Sequence, residues 1–376
     1  MKILIVTDLF VPNVGGLEFT VERLAWQFQK RGHQVCVVAA RNPPNLPAFE
    51  MVKGIPTHRL FFIRPQPHPK FLLGLPSFIF LKNIIQKEKP DIIQVHFPHS
   101  NGLSSLLASF FTSIPLVVTM HGSDAQVFPK KSAIERAITT NLFKRARAIT
   151  GISQFTTRCA TELLPTQHEK FSAITSGIDV EEYDKSNEAY RHKDEKTYIY
   201  STGRFVYKKG FDILINAFAK IAQAFPEVDL IISGDGPERE KCQKKIKEFG
   251  LSGRIFLPGF VSRPDMIRYF KGCAFFCIPS RQEPLGATVL EAMACGKAVA
   301  ASKVDGIVEM VEEGRTGFFF SPGDSEDCAK ILSKMLKDNT LCEKMGKAGR
   351  EKVVSFFTWS RAADEYLQLF EKVLKV

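Results

Sequence analysis

The sequence has no apolar run able to cross a bilayer. Its greasiest stretch, Phe71–Leu81, is broken by Gly74 and Pro76 and falls far short of the roughly 20 residues a span needs. A secretory leader is not expected either, because the short apolar run Ile3–Val6 is followed by Asp8 with no cleavage pattern. A cytoplasmic location is the expectation. The eight cysteines include no C-x2-C pair, so a zinc ribbon is excluded, and apolar surroundings such as Cys273-Ala-Phe-Phe-Cys277 point to buried reduced thiols. Low-complexity tracts and short repeats are missing. So is any recognised nucleic-acid-binding motif, and the basic residues are dispersed, which argues against nucleic acid as a partner.

What is present is an ordinary globular composition, 44% hydrophobic and 24% charged. A length of 376 residues exceeds what one core usually serves, so two domains facing a cleft are expected. The net charge of +11 favours anionic partners without choosing among them.

Along the chain, the apolar run Lys2–Thr7 reads as a buried strand. Leu17, Val21, Leu24, Ala25 and Phe28 then recur at helical spacing, and Gln34–Ala40 reads as a second strand. Further strands are predicted at 91–95, 116–119, 148–152 and 171–175. This alternation implies a parallel sheet covered on both faces. Residues 179–196 are polar and charge-dense and suit an exposed connection. The pattern restarts with predicted strands at 197–202, 228–233, 254–258, 273–279 and 298–302. The fold class is therefore α/β, with two doubly wound parallel-sheet domains of Rossmann type. An amphipathic helix is predicted to close the chain, with Ala362, Ala363, Tyr366, Leu367, Phe370 and Val373 on one face.

In open parallel sheets ligands bind beyond the carboxyl ends of the strands, and the chemistry-bearing residues fall there repeatedly. Gly15-Gly16 follows the first strand and precedes a helix, where free N–H groups favour an anion, although the spacing is not G-x-G-x-x-G. His121-Gly122-Ser123-Asp124 follows the strand at 116–119. Gly203-Arg204 through Lys208-Lys209-Gly210 follows the first strand of the second half, and this basic, glycine-flanked loop suits a diphosphate. Gly234-Asp235-Gly236-Pro237 follows the next strand. The richest segment is Glu283-Pro-Leu-Gly286-Ala-Thr-Val-Leu-Glu291. Eight residues at about 100° each do not aim two side chains alike on one helix. The reading is therefore Glu283 in a loop, Glu291 on a helix, and a helix start near Gly286 between them that can receive phosphates.

Taken in order, these residues resemble the retaining glycosyltransferases of family 4, which have the GT-B fold. The resemblance covers essentially the whole chain: Gly15-Gly16, His121-Gly122, Gly203-Arg204-x4-Lys209-Gly210, Ser233-Gly-Asp-Gly-Pro237 and Glu283-x7-Glu291. It implies transfer of a hexosyl unit from a nucleotide sugar, UDP-hexose or GDP-mannose, with retained configuration. In its terms Glu283 binds the sugar hydroxyls and Glu291 the ribose. Arg204 and Lys209 neutralise the diphosphate, aided by amides of Gly16 and of Leu285, Gly286, Ala287 and Thr288. His121 touches the sugar, Gly203 and Gly234 allow close approach, and the backbone near Phe260-Val261 contacts the base. The first domain would comprise 1–180 with 357–376, residues 181–196 the linker, and 197–356 the donor domain. No metal and no other cofactor is expected, and the sequence holds no D-x-D triplet to bind a divalent ion.

The resemblance leaves the acceptor open: a glycan, a lipid-linked sugar or a small soluble molecule. Residues 59–82 mix Arg59, Arg64, Lys70 and Lys82 with Phe and Leu, a composition suited either to an anionic membrane surface or to a loop and a covering helix. A non-catalytic nucleotide-sugar-binding protein is the rival reading. Retention of Glu283, Glu291, Arg204 and Lys209 argues against it. Oligomeric state is not legible.

Overall fold

The computed structural model describes residues 1–13, 15–60, 71–185 and 188–375. The chain divides into two compact units, Met1–Gly177 with Trp359–Val376, and Ile178–Thr358.

The first unit holds β1 (Lys2–Val6), β2 (Gln34–Ala40), β3 (Phe49–Val52), β4 (Ile55–Leu60), β5 (Ile92–His96), β6 (Leu116–Met120), β7 (Ala148–Gly151) and β8 (Phe171–Ala173). They form one sheet in the order β3-β4-β2-β1-β5-β6-β7-β8. All neighbours are parallel except β3, which runs antiparallel to β4. Side chains alternate between the faces, as the strand period of two requires. Leu4, Val6, Val38, Val95 and Val118 meet Leu81, Ile85, Leu106, Leu142 and Phe143 from the helices on one side. Ile3, Ile5, Val37 and Val117 meet Val21, Leu24 and Phe28 of the helix Gly16–Lys30 and Tyr366 and Phe370 of Trp359–Leu374 on the other. The closing helix is thus part of the first unit's core, with Phe28 and Phe370 ring centroids 5.7 Å apart.

The hairpin β3–β4 was not expected from the sequence. Its turn is Lys53-Gly54, with φ of +50° and +79°, the two left-handed residues that a tight hairpin asks for. Lys is an unusual occupant of that conformation, so the turn is poorly advertised.

The second unit holds β9 (Thr197–Thr202), β10 (Val228–Ser233), β11 (Ile255–Gly259), β12 (Phe275–Ile278), β13 (Val299–Ser302) and β14 (Gly317–Phe320), in the order β11-β10-β9-β12-β13-β14 and parallel throughout. The last strand, β14, was not expected either. A Cβ on its Gly317 would sit 2.0 Å from the Val299 carbonyl, so glycine is what lets β14 lie close against β13. One face buries Leu214, Phe218, Leu230, Ile232 and Leu332. On the other, Tyr200, Phe270 and Phe276 pack edge to face.

Residues 181–196, expected as an exposed connection, are in part built into this unit. Tyr183 is fully buried, the Tyr190 ring lies 4.2 Å from that of Tyr269, and His192 Nε2 is 2.9 Å from Asp229 Oδ2. Three aromatic side chains among many charges are enough to anchor the segment, which a reading weighted by composition overlooks. The cysteines are all free, and only Cys295 is less than fully buried.

Candidate active site

In each sheet the connections change direction beside the first strand, between β1 and β5 and between β9 and β12. Loops diverge at such switch points and leave a crevice beyond the carboxyl ends of the strands. In the second unit the loop after β9 carries Gly203, Arg204 and Lys209, and the loop after β12 carries Glu283.

Those two loops are tied together. Lys209 Nζ donates to Glu283 Oε2, and the Ser280 hydroxyl lies 3.4 Å from the same oxygen. Lys209 ends a short turn before Gly210, whose φ is +66° and where a Cβ would sit 2.1 Å from the Pro279 carbonyl. Only glycine lets the β9 loop approach the end of β12 so closely. Gly203 and Gly234 repeat the device: a Cβ on Gly234, at φ +123°, would lie 1.9 Å from the Gly203 carbonyl. The Gly234 amide also donates to Gly259 at 2.7 Å, which brings the end of β11 and the following Phe260-Val261 to this edge of the sheet. Val261 is half-buried and Phe260 is 74% exposed. Arg204 is exposed, and its side chain makes no ion pair or hydrogen bond among the described residues.

Glu283 and Glu291 sit as the sequence predicts, one in the loop and one on the helix Ala287–Ala294. Gly286 caps that helix in a left-handed conformation, φ +93°, with no side chain on the free amides. The first N–H groups there lack intrahelical partners and carry the positive end of the helix dipole. Leu285 and Gly286 are buried, Thr288 is half-buried and Ala287 is exposed.

The second unit also supplies residues the sequence did not announce. The Glu283 amide donates to Asp305 at 2.8 Å, and the Gly306 amide donates to the Glu283 carbonyl at 3.0 Å. Glu291 is buried, and its Oε1 accepts from Arg263 Nη1 at 2.9 Å. Arg263 in turn reaches Glu182 at 2.7 Å and the Tyr183 hydroxyl at 2.8 Å. Burial raises the Glu291 carboxyl above its ordinary range, and the Arg263 charge works against that rise. No spacing rule links positions 182, 263 and 291, so nothing in the sequence could have found this group.

In the first unit, the helix Gly16–Lys30 starts at Gly15, which is extended at φ −177°. Gly16 has open space beside it, but a Cβ on Gly15 would lie 2.5 Å from Glu18 Oε2. The anion-favouring helix start therefore already has the protein's own carboxylate close by. His121 follows β6, and its Nε2 is 2.9 Å from Nδ1 of His96 at the end of β5. Asp124 accepts from the amides of His121, Gly122 and Ala125 at 2.7 to 3.1 Å, which fixes the loop rather than the ring. Burial lowers the His121 pKa to about 3 and pushes the Asp124 carboxyl up to about 7, against the pull of those amides.

A cavity of about 490 Å³ in the second unit is lined by Thr197, Tyr198, Cys273, Ala274 and Lys297, at the amino ends of its strands. It lies on the edge of the sheet opposite Glu283. One trio among the described residues of the first unit, Cys36, His58 and Glu88, is close enough to hold a metal ion, but Glu88 already pairs with Lys2 at 2.9 Å and with His58 at 3.2 Å.

The segment 59–82, read as either a membrane-docking surface or a loop and covering helix, is described only in part. Arg59 is buried in β4, with Nε on Glu50 at 2.6 Å and Nη2 on the Val11 carbonyl at 2.5 Å. Arg64 and Lys70 lie outside the described residues. Lys82 sits 4.9 Å from the centroid of the Phe111 ring. Phe110 and Phe111 are 60% and 61% exposed, and Arg145 lies over Phe110.

Two family profiles divide the chain: Glycosyltransferase Family 4 matches residues 14–182, and Glycosyl transferases group 1 matches 182–352. The chain belongs to the group 1 glycosyltransferases of the family 4 type and has the GT-B fold. Among its relatives, N-acetyl-alpha-D-glucosaminyl L-malate synthase of Bacillus anthracis is 26% identical over 97% of this chain and 96% of its own. Sucrose-phosphate synthase of Thermosynechococcus elongatus superposes with a TM-score of 0.83 at 20% identity, covering 100% of this chain and 99% of its own. HepE of Anabaena, in complex with UDP and glucose, superposes with a TM-score of 0.80 at 22% identity, covering 99% and 100%. The two solved structures speak for the fold.

Proposed function

We propose that this glycosyltransferase moves a hexosyl unit from a nucleoside diphosphate sugar, with retention of configuration and without a metal. The observation that carries the reading is the Lys209–Glu283 pair beside exposed Arg204 and the open helix start at Gly286, all at the switch point of the second sheet. Departure of a diphosphate develops negative charge, which fixed cations and oriented amides stabilise without reorganisation. Glu283 accepts from sugar hydroxyls while Lys209 holds it in place. Glu291, steadied by Arg263, accepts from the ribose. Structures of HepE with UDP and with UDP-glucose favour a UDP-hexose over GDP-mannose as donor.

A panel of UDP- and GDP-sugars tests this by thermal shift, since a ligand bound only by the folded state raises Tm. The expected outcome is stabilisation by the UDP series with no divalent ion added. An absolute requirement for Mn²⁺, or no shift with any sugar nucleotide, overturns the reading.

For the acceptor, the exposed pair Phe110 and Phe111, each with a cation over its ring, favours a lipid-linked or surface glycan precursor reached at an anionic membrane. The small-molecule alternative has the Bacillus anthracis relative in its favour, which is by name an N-acetyl-glucosaminyl L-malate synthase. Flotation with anionic vesicles separates them. Binding that is lost in a Phe110→Ser/Phe111→Ser variant supports the membrane reading, and no binding by the unaltered protein removes it.

A further inference from the structure

This inference rests on the reading that His121 meets the substrate. His96 and His121 are both held uncharged, because burial lowers each imidazole well below its ordinary range. Their 2.9 Å contact is therefore a hydrogen bond between two neutral rings, in which one nitrogen donates and the other accepts. The ring centroids are 5.2 Å apart at 43°, so the contact is edge-on and not a stack.

Two proton arrangements are available, and the surroundings separate them. His96 Nε2 is buried with no hydrogen-bond partner among the described residues. If His121 Nε2–H donated, His96 would carry its own proton on Nε2, as a buried N–H with nothing to receive it. Such a group costs about 1–3 kcal/mol, and orphaned N–H donors are rarer in proteins than bare acceptors. In the other arrangement His96 Nδ1–H donates to His121 Nε2, and the orphaned atom is only a lone pair. The proton of His121 is then on Nδ1. Asp124, the carboxylate in the same loop, is occupied by backbone amides and does not compete for it. No protein group reaches His121 Nδ1 among the described residues.

We propose that His96 is a positioning residue that locks His121 in the Nδ1–H tautomer, so that His121 offers substrate a neutral hydrogen-bond donor and not a base. The backbone of the loop is held by Asp124 at the turn through Gly122, whose φ is +124°, while the ring is held by His96. The two constraints act on different atoms. A second-strand imidazole that fixes the ring of a functional histidine is the same device by which neighbouring groups set histidine tautomers elsewhere.

The test is the ¹⁵N spectrum of the histidines in the full-length protein, read beside turnover. In the unaltered protein His121 is expected to show a protonated Nδ1 and a bare Nε2. His96→Leu is expected to release His121 into a mixture of tautomers and to lower kcat on the order of tenfold. His96→Asn places an amide N–H near the position of Nδ1 and is expected to restore both the spectrum and most of the rate, which a merely space-filling role for His96 does not predict. A protonated Nε2 on His121, or a His96→Leu protein with the original spectrum and rate, overturns the proposal. Lack of turnover with every sugar nucleotide sinks the transfer reading instead, and the spectrum still decides the role of His96.

Discussion

The two units use opposite means at the carboxyl ends of their sheets. The second assembles formal charges, Lys209 on Glu283 and Arg263 on Glu291 and Glu182. The first sets two uncharged imidazoles edge to edge and turns its nearest carboxylate onto backbone amides. The difference teaches that placement at a strand end does not make sites alike. A diphosphate needs fixed cations. A sugar hydroxyl needs only a neutral donor or acceptor of defined direction, which buried imidazoles supply because burial strips them of charge.

The comparison breaks most visibly at Arg263. Removing it in Arg263→Leu leaves Glu291 buried without its cation, and loss of one partner from such a pair costs about 3–5 kcal/mol. Because Arg263 is partly exposed, the lower end is expected, about 3 kcal/mol, read as an earlier urea transition for the second unit. Adding Glu291→Leu is expected to recover most of it. Full stability in the single variant would show that water reaches Glu291 freely.

Lys209→Ala is the next largest. On the proposed reading it removes a fixed cation from the donor's diphosphate, so kcat/KM is expected to fall about 100-fold, with the Tm rise on UDP largely abolished and the circular dichroism unchanged. A loss confined to KM would place Lys209 in ground-state binding alone.

The smallest effect sharpens the neutral side. The His121 pKa is lowered in the folded state, so its contribution to stability is fully present above the ordinary 6.5 and is lost as pH falls toward about 3. Asp124 acts in the opposite sense: raised to about 7, it weakens the fold as pH rises from 3.8 toward that value. Comparison with His121→Asn isolates the histidine. Between pH 7 and pH 5 the variant is expected to gain about 2 kcal/mol relative to the unaltered protein. A constant difference across that window would mean that His121 is accessible enough to protonate in the folded state.

Much of this was legible in the sequence. Strands at 34–40, 197–202 and 228–233 coincide with β2, β9 and β10 because continuous apolar runs bounded by Gly and charge are local signals. The same holds for Glu283 in a loop and Glu291 on a helix, since an eight-residue separation turns about 80° past two full turns and does not aim two side chains alike on one helix. The hairpin β3–β4 was missed because its turn uses Lys53, and Tyr183 was passed over because one buried aromatic is hidden in a charged stretch.

The sequence by itself determined the two α/β repeats, the strand-end loops and the residue types within them, all written in neighbours a few positions apart. Only the tertiary structure decided the pairing of those residues: Arg263 with Glu291 across 28 positions, Tyr183 with Arg263 across 80, and His96 with His121 across 25. Parallel strands bring such positions together through crossover helices of variable length. Spacing along the chain therefore carries no record of which charge meets which carboxylate, or which imidazole holds the other's proton.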